Sequence, residues 1–150
     1  MRTTRKNDSR NIYRIARDTA GLTQERWAEN LGISAEAVRQ YEAGIIMPGD
    51  DIVLQMAEIS GQLILPYRHL VRKSRVAAAI LPELDDELGL SETVLSLLIQ
   101  IDDFREDGMK KLSRIAADGK VSEDEAESYD QALQQLRRLV TLALSLSYIK

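Results

Sequence analysis

The stretch LTQERWAENLGISAEAVRQYEAGIIMP, residues 22–48, has the pattern of two short helices joined by a tight turn. A threonine or serine just before a helix caps it, because its hydroxyl accepts a hydrogen bond from a free amide of the first turn. Thr23 and Ser34 occupy these two positions. Gly32 lies between them, and glycine readily ends a helix because it adopts positive φ at little cost. The stretch therefore predicts a first helix that ends at Gly32 and a second that spans residues 35–43.

The spacing of the apolar residues indicates how these two helices pack. Trp27 and Leu31 lie four residues apart with Ala28 between them, so one side of the first helix is apolar and small enough for close approach. Val38 and Tyr41 are predicted to face it from the second helix. The side chains predicted to point outward from the second helix are Ala35, Glu36, Arg39 and Gln40. Two helices arranged in this way form the helix-turn-helix that reads DNA in the major groove.

This region resembles the lambda-repressor-like helix-turn-helix family, the Cro and Xre type of bacterial and phage DNA-binding regulators. The likeness covers about residues 10–65 and is carried by positions at the family's spacing, which are Arg17, Thr23, Gln24, Ala28, Gly32, Ser34, Val38, Glu42, Gly44, Pro48 and Ala57. The resemblance implies a five-helix DNA-binding domain. It also implies that Arg17 and Glu42 form a structural ion pair and that Gln24 binds a DNA phosphate.

Two features of the stretch depart from the family pattern. The loop after the second helix is often basic in the family and touches phosphate, whereas here it reads Ile45-Ile46-Met47. Ala35 and Glu36 are also less usual residues at the start of a recognition helix. The resemblance therefore does not imply which base sequence this helix prefers.

The composition predicts an all-α fold. The chain has 150 residues, of which 44% are hydrophobic and 5% aromatic, and it has only three prolines. Alanine, leucine, glutamate and arginine are abundant, and these residues favour helix over strand. A chain of this length can form one or two small packed domains.

Several classes of function lack the residues they need. The chain has no cysteine and one histidine, so it has neither a disulfide framework nor the usual groups of general-base and covalent catalysis. Nucleotide-binding and nucleophile motifs are missing as well. We therefore expect a protein that is not an enzyme and that uses no metal or cofactor. No signal-peptide pattern and no apolar run of about 20 residues occurs, which predicts a cytoplasmic protein without a membrane segment.

The charge is distributed unevenly along the chain. Residues 1–75 contain 12 Lys and Arg against 9 Asp and Glu, whereas residues 76–150 contain 8 against 15. Such asymmetry indicates a half that faces nucleic acid, although a charged stretch can also be a solvated surface. Within the basic N-terminal arm we expect Arg5, Lys6 and Arg10 to bind phosphate, the alternative being a tail without function.

Residues 1–81 are predicted to form the DNA-binding domain together with this arm. Asp8 or Ser9 is expected to cap a first helix that ends near residue 19, and Asp50 or Asp51 a fourth. A fifth helical segment spans residues 63–81. His69 lies within it and is predicted to be a surface or interface residue, because no second histidine or cysteine can complete a metal site.

Residues 82–90 form an acidic linker, and residues 91–150 are predicted to form an antiparallel helical hairpin. Its helices span about residues 92–117, opened by Ser91 and kinked at Gly108, and about residues 123–148. Ser122 and Glu125 have the spacing of a capping box at the start of the second helix. A coiled-coil-like seam on that helix comprises Ala126, Tyr129, Leu133, Leu136, Val140 and Ala143. One hairpin cannot bury so much apolar surface, so we expect it to dimerise, the alternative being packing against the fourth and fifth helices.

These features predict a sequence-specific transcriptional regulator, a dimeric repressor of bacterial, phage or mobile-element origin that binds double-stranded DNA. Gln40 can recognise adenine, Glu36 can accept a hydrogen bond from cytosine N4, and Ala35 can touch a thymine methyl. Arg39 can reach either guanine or a phosphate. The alternative is a protein-interaction module, such as an antitoxin, that wraps a protein partner and binds DNA secondarily. Activation of transcription in place of repression is also compatible with the residues.

Overall fold

The computed structural model describes residues 11–84 and 88–149, and every regular element in these ranges is helical. The prediction of an all-α fold is therefore confirmed. The chain divides into two compact units, Met1–Leu81 and Pro82–Lys150. Within the described ranges, none of the helices is both long enough and apolar enough to cross a membrane.

The first unit contains six helices in its described part. They are α1 (Ile12–Ala20), α2 (Gln24–Leu31), α3 (Ala35–Glu42), α4 (Asp50–Ser60), α5 (Leu65–Lys73) and α6 (Arg75–Ile80). Their core is built around Trp27, which is fully buried, with Val38, Val53 and Met56 against it. Ala28 and Leu31 are buried on the same side of α2. The apolar side predicted for this helix is thus the side that packs.

The ends of α2 and α3 follow the predicted caps. Thr23 Oγ1 accepts a hydrogen bond from Arg26 N at 3.2 Å, and Ser34 Oγ accepts one from Ala37 N at 3.1 Å. Gly32 ends α2 with φ of 65°, where a side chain would be strained. These contacts are all made within a few residues, so they set the tight turn between the two helices locally.

The start of α1 differs from the prediction. This helix begins at Ile12, and its cap is Asn11, whose Oδ1 accepts a hydrogen bond from Tyr13 N at 2.8 Å. The prediction of Asp8 or Ser9 as the cap was therefore wrong, and both residues lie outside the described ranges. Asn11 also donates from Nδ2 to the Tyr41 carbonyl at 2.8 Å. Asn11 therefore caps α1 and also ties that helix to the end of α3. The local sequence pattern does not reveal the contact to α3.

The predicted fifth segment is two helices, α5 and α6. Ser74 separates them with an extended backbone, φ −120° and ψ 116°, and its hydroxyl caps α6 by accepting from Ala77 N at 3.1 Å. A serine hydroxyl competes with the backbone for hydrogen bonds, which favours such a break.

The cap of α4 also differs from the prediction. Gly49 is in the cap position, so the predicted caps Asp50 and Asp51 are instead the first two residues of the helix.

His69 is buried, which corrects the prediction of a surface residue. Its side chain is 4% exposed, with Nδ1 2.9 Å from Tyr13 Oη and Nε2 3.0 Å from Asp50 Oδ1. Lys73 Nζ lies 2.6 Å from the same Asp50 oxygen. The histidine therefore joins α1, α4 and α5 through hydrogen bonds, which satisfy both of its ring nitrogens in the interior.

The second unit is an antiparallel hairpin of interrupted helices. Its elements are α7 (Leu90–Asp103), a π-helical turn (Phe104–Gly108), α8 (Met109–Ile115), a 3₁₀ turn (Glu123–Glu125) and α9 (Ala126–Ser147). Gln135 Nε2 lies 3.3 Å from Asp107 Oδ2, and Lys111 Nζ lies 2.8 Å from Gln131 Oε1. Asp107 contacts Gln135, and Lys111, further along the first arm, contacts Gln131, earlier in the second. The two arms therefore run in opposite directions.

The hairpin's helix ends match the prediction in part. Glu125 Oε2 accepts a hydrogen bond from Ser122 N at 3.0 Å, which is the predicted capping box. The first arm starts at Leu90 with Gly89 as its cap, so Ser91 is not the opening residue. The predicted irregularity at Gly108 takes the form of the π-helical turn, which ends at that glycine.

The hairpin buries several small and polar residues and leaves many of its large apolar ones exposed. Thr93, Ala132 and Ser145 are buried, whereas Leu95, Leu98, Ile99 and Ile101 of α7 are 47–61% exposed. The buried side of α9 passes through Ala132, Leu142 and Ser145. The residues of the predicted coiled-coil-like seam are not among these: Ala126, Val140 and Ala143 are exposed, and Tyr129, Leu133 and Leu136 are half-buried. Packing of the two arms thus leaves apolar surface uncovered.

Candidate nucleic-acid interface

The exposed side of α3 carries three polar residues that hydrogen-bond to one another. Glu36 Oε2 accepts from Arg39 Nε at 3.0 Å, and Glu36 Oε1 accepts from Gln40 Nε2 at 3.3 Å. The spacings of three and four residues bring these side chains onto one side of the helix. Glu36 and Arg39 are exposed, and Gln40 is half-buried. One carboxylate therefore holds a guanidinium and an amide side by side at the surface.

These contacts are weak enough to be exchanged for contacts with a ligand. Exposed pairs of this spacing stabilise a helix by about 0.2–0.5 kcal/mol each. A hydrogen bond from Arg39 or Gln40 to a base edge can therefore replace the bond to Glu36. Until then, the carboxylate limits the number of orientations that the two longer side chains sample.

Ala35 points only partly outward, although the sequence pattern placed it on the outer side. It is half-buried and packs against the hydrophobic core of the first unit. The reason is the helical period, since Ala35, Val38 and Glu42 lie at positions i, i+3 and i+7 of one side. Val38 is buried, so the side chains above and below it face inward as well.

A nearly buried ion pair fixes α3 to α1. Glu42 Oε1 accepts a hydrogen bond from Arg17 Nε at 2.5 Å, and Glu42 Oε2 accepts one from Nη2 at 3.1 Å. The two side chains are 11% and 7% exposed, respectively. Arg17 Nη1 also donates to the Leu22 carbonyl at 2.7 Å, which ties the start of the α2 segment to the pair. The hydrogen bond to Glu42 raises the pKa of Arg17, so the guanidinium remains charged.

Gln24, at the first position of α2, takes part in the same network. Its Nε2 donates to Glu42 Oε2 at 2.8 Å. The residue to which the family resemblance assigns a phosphate contact is therefore bonded to the ion pair in this structure. This contact links α2 and α3, in addition to the apolar packing between them, so the orientation of α3 is set by charged and polar contacts from both preceding helices.

The loop after α3 is apolar and exposed. Ile45, Ile46 and Met47 are all exposed, and Ile45 N donates to the Gln40 carbonyl at 2.9 Å. The loop thus lies directly beside the end of the polar side of α3. Arg5, Lys6 and Arg10, the predicted phosphate contacts of the N-terminal arm, lie outside the described ranges.

Sequence reasoning missed one residue that helps to position α3, namely Asn11. Its amide holds the Tyr41 carbonyl in the last turn of that helix. An asparagine before a run of helix formers signals a cap, and that signal was available in the sequence. The contact across 30 positions was not, because nothing in the local pattern indicates it.

A comparison with protein families gives a helix-turn-helix model that matches residues 14–59. The matched segment begins within α1 and ends within α4, so it includes the polar side of α3 and the ion pair beneath it. Searches of curated proteins and of solved structures each gave no match.

Proposed function

We propose that this chain, whose residues 14–59 match a helix-turn-helix family model, is a dimeric, sequence-specific transcriptional repressor. One helix-turn-helix covers a single half-site, so two copies bind a two-fold-related site with α3 in successive major grooves. The observation that carries the proposal is the hydrogen-bonded trio of Glu36, Arg39 and Gln40 on the outer side of a helix that a nearly buried ion pair holds in place. A bound dimer represses by covering DNA that the transcription machinery needs.

Each residue of this surface has a chemical role in the proposal. Gln40 pairs with adenine N6 and N7, and Glu36 accepts from cytosine N4. Arg39 binds either guanine or a phosphate, since its guanidinium serves both. Ala35 is half-buried, so only part of its methyl group can touch the methyl group of thymine. Gln24, Arg5, Lys6 and Arg10 are proposed to bind phosphates, which position the protein without reading sequence.

The second copy is proposed to bind through residues 91–150. In support, α7 exposes four large apolar residues, Leu95, Leu98, Ile99 and Ile101, and α9 exposes Val140. Full burial of an exposed leucine or isoleucine is worth about 1.5–3 kcal/mol, and these half-exposed side chains would each contribute part of that, so this surface favours association. A two-fold interface pairs the same surface of each copy, and an apolar surface is compatible with itself.

We expect Gln40→Ala to weaken binding to the preferred duplex by about 1–3 kcal/mol, roughly 5- to 150-fold, because one bidentate base contact is lost. Binding to unrelated duplexes should change little, since phosphate contacts dominate there. Fluorescence anisotropy at fixed salt, with duplexes varied one base pair at a time, measures both effects.

Gln55→Ala is the matched control, because Gln55 is an exposed glutamine on α4. This variant should bind as the unchanged protein does. Equal losses for Gln40→Ala on every duplex, or a similar loss for Gln55→Ala, would remove Gln40 from the base-reading surface.

A second candidate function is a protein-interaction module of the antitoxin kind. The exposed apolar loop of Ile45, Ile46 and Met47 favours it, because such side chains suit a protein surface better than a phosphate backbone. Under this proposal the isolated chain co-purifies with a protein partner that the loop contacts. Under the leading proposal it purifies alone as a stable dimer.

A further inference from the structure

The backbone of the apolar loop after α3 is held by hydrogen bonds to the end of that helix. Gly44 has φ of 71°, a conformation that other residues rarely adopt, and its N–H donates to the Tyr41 carbonyl at 3.1 Å. Ile45 N then donates to the Gln40 carbonyl at 2.9 Å. These two bonds form a Schellman motif, in which a left-handed glycine ends a helix. The loop therefore begins on a defined course beside the last turn of α3.

The residue after the glycine lacks the packing that usually accompanies this motif. That residue often contacts an apolar side chain five or six positions earlier. Here it is Ile45, and the two earlier positions are Gln40 and Arg39, which are polar. Ile45 is 73% exposed, and Ile46 and Met47 beside it are 49% and 45% exposed. The motif thus presents an apolar surface next to the two side chains that are proposed to read bases.

This loop is poorly suited to binding phosphate. Its side chains have no hydrogen-bond donor, and the amides of Ile45 and Ile46 both donate to the Gln40 carbonyl. The next residue, Pro48, has no N–H at all. Contacts to phosphate oxygens need such donors. The apolar group that base pairs present in the major groove is the C5-methyl group of thymine, which matches an isoleucine side chain.

The position of Ile45 relates it to one part of the DNA site. Its hydrogen bond to the Gln40 carbonyl keeps the two residues together at the end of α3. Successive base pairs are about 3.4 Å apart, so a side chain beside Gln40 meets the same base pair or a neighbouring one. Glu36 lies four residues earlier, about 6 Å along the helix axis, and contacts a different part of the site.

We propose that Ile45 is a specificity-determining residue, which packs against the C5-methyl group of a thymine at or beside the base pair that Gln40 reads. The inference rests on the proposed function, because it adds a base contact to the same interface. Burying the methyl group against Ile45 removes it from water, which favours thymine over cytosine. Ile46 extends the apolar surface around this contact.

A protein partner is the other surface that could cover the loop, and two observations favour DNA. The loop adjoins Gln40, so it continues the proposed base-reading surface of α3. A stable protein interface buries about 1,200–2,000 Å² in total, of which three side chains supply only a small part. A single methyl group, in contrast, needs no more surface than one isoleucine provides.

The test removes the methyl group from the DNA. In the duplex that selection enriches, each thymine is replaced in turn by uracil, which lacks only the C5-methyl group. Fluorescence anisotropy with the full chain should identify one thymine in each half-site whose replacement weakens binding about 4-fold, or about 16-fold when both half-sites are changed, because one buried methyl group is lost from each. This thymine should lie at or next to the base pair at which Gln40→Ala relaxes preference.

Ile45→Ala should bind the unmodified duplex more weakly, by at least about 4-fold per half-site, and should no longer distinguish thymine from uracil there. Ile80→Ala is the matched control, because Ile80 is an isoleucine on α6 that is 74% exposed. The control should keep both the affinity and the effect of uracil. Unfolding followed by Trp27 fluorescence verifies that each variant is folded.

Three results would overturn the inference: no uracil-sensitive thymine near the base pair read by Gln40, a full uracil effect in Ile45→Ala, or loss of that effect in Ile80→Ala. If Gln40 still determined a base preference, the proposed function would stand without it. A pool that yields no preferred duplex would contradict the proposed function and this inference together. Unchanged affinity of Ile45→Ala for every duplex would assign the loop to a protein partner instead.

Discussion

Glu42→Ala should destabilise the first unit by about 3–5 kcal/mol, because it leaves the nearly buried guanidinium of Arg17 with only the more exposed carboxylate of Asp18, 3.3 Å away. The variant also removes the acceptor of Gln24 Nε2, so α3 loses its ion pair to α1 and its hydrogen bond to α2 and keeps the contact from Asn11. Denaturant unfolding followed by tryptophan fluorescence measures the loss. The chain has one tryptophan, Trp27, and it is buried in the core of this unit, so the signal reports the unit that is changed.

The control for this prediction is Glu29→Ala, which removes the carboxylate of an exposed ion pair on α2. Arg26 and Glu29 lie 2.5 Å apart but are 64% and 66% exposed. Pairs of this kind contribute about 0–1 kcal/mol, because water screens them. Similar losses in the two variants would show that the Arg17–Glu42 pair does not hold α3 in place.

Leu98→Glu should convert the protein from a dimer to a monomer, because it places a charge in the centre of the apolar surface of α7. Leu98 is exposed in the single chain, so the substitution should leave the fold intact. Affinity for a duplex with two half-sites should fall by about 10²- to 10⁴-fold, since the two helix-turn-helix domains then bind independently. Light scattering gives the mass, and anisotropy with one and two half-sites gives the affinities.

Ser113→Glu adds the same charge at an exposed polar position of α8 and should remain a dimer. Affinity for a single half-site should be the same in both variants and in the unchanged protein. If Leu98→Glu remained dimeric, the second copy would bind elsewhere. If it lost single-site affinity as well, the substitution would have disturbed the first unit.

The helix-turn-helix could be predicted from the sequence because its signals are local. Thr23, Gly32 and Ser34 act within a few residues of their own positions, and the structure has all three in the predicted roles. The side of α2 formed by Trp27 and Leu31 follows from helical periodicity alone. The predicted caps and the predicted apolar side are both present in the folded structure, because the tertiary contacts of this region agree with its local preferences.

The residues that were predicted wrongly depend on partners far away in the sequence. His69 is buried because Tyr13 and Asp50, 56 and 19 positions away, satisfy its two ring nitrogens. Charged neighbours on its own helix suggested a surface residue instead. The buried side of α9 could not be predicted either, since the sequence offers two apolar sides and only the position of α7 decides between them.

The candidate site was predictable in outline and less so in detail. Glu36, Arg39 and Gln40 share the polar side of α3, as the spacing suggests, but Ala35 belongs with Val38 on the inner side. The hydrogen bonds that connect Glu36 to its two neighbours follow from spacings of three and four residues. The bond from Gln24 to Glu42 is different, because it requires α2 and α3 to be in their final positions.

Selection of bound duplexes from a random DNA pool, at fixed near-physiological salt, tests the central claim most directly. A dimeric, sequence-specific regulator predicts enrichment of an inverted repeat whose half-sites are about one helical turn apart. The Gln40→Ala protein, selected in parallel, should lose preference at one position of each half-site. Binding without enrichment, weakening uniformly as salt is raised, would contradict the claim, because only phosphate contacts would then hold the DNA.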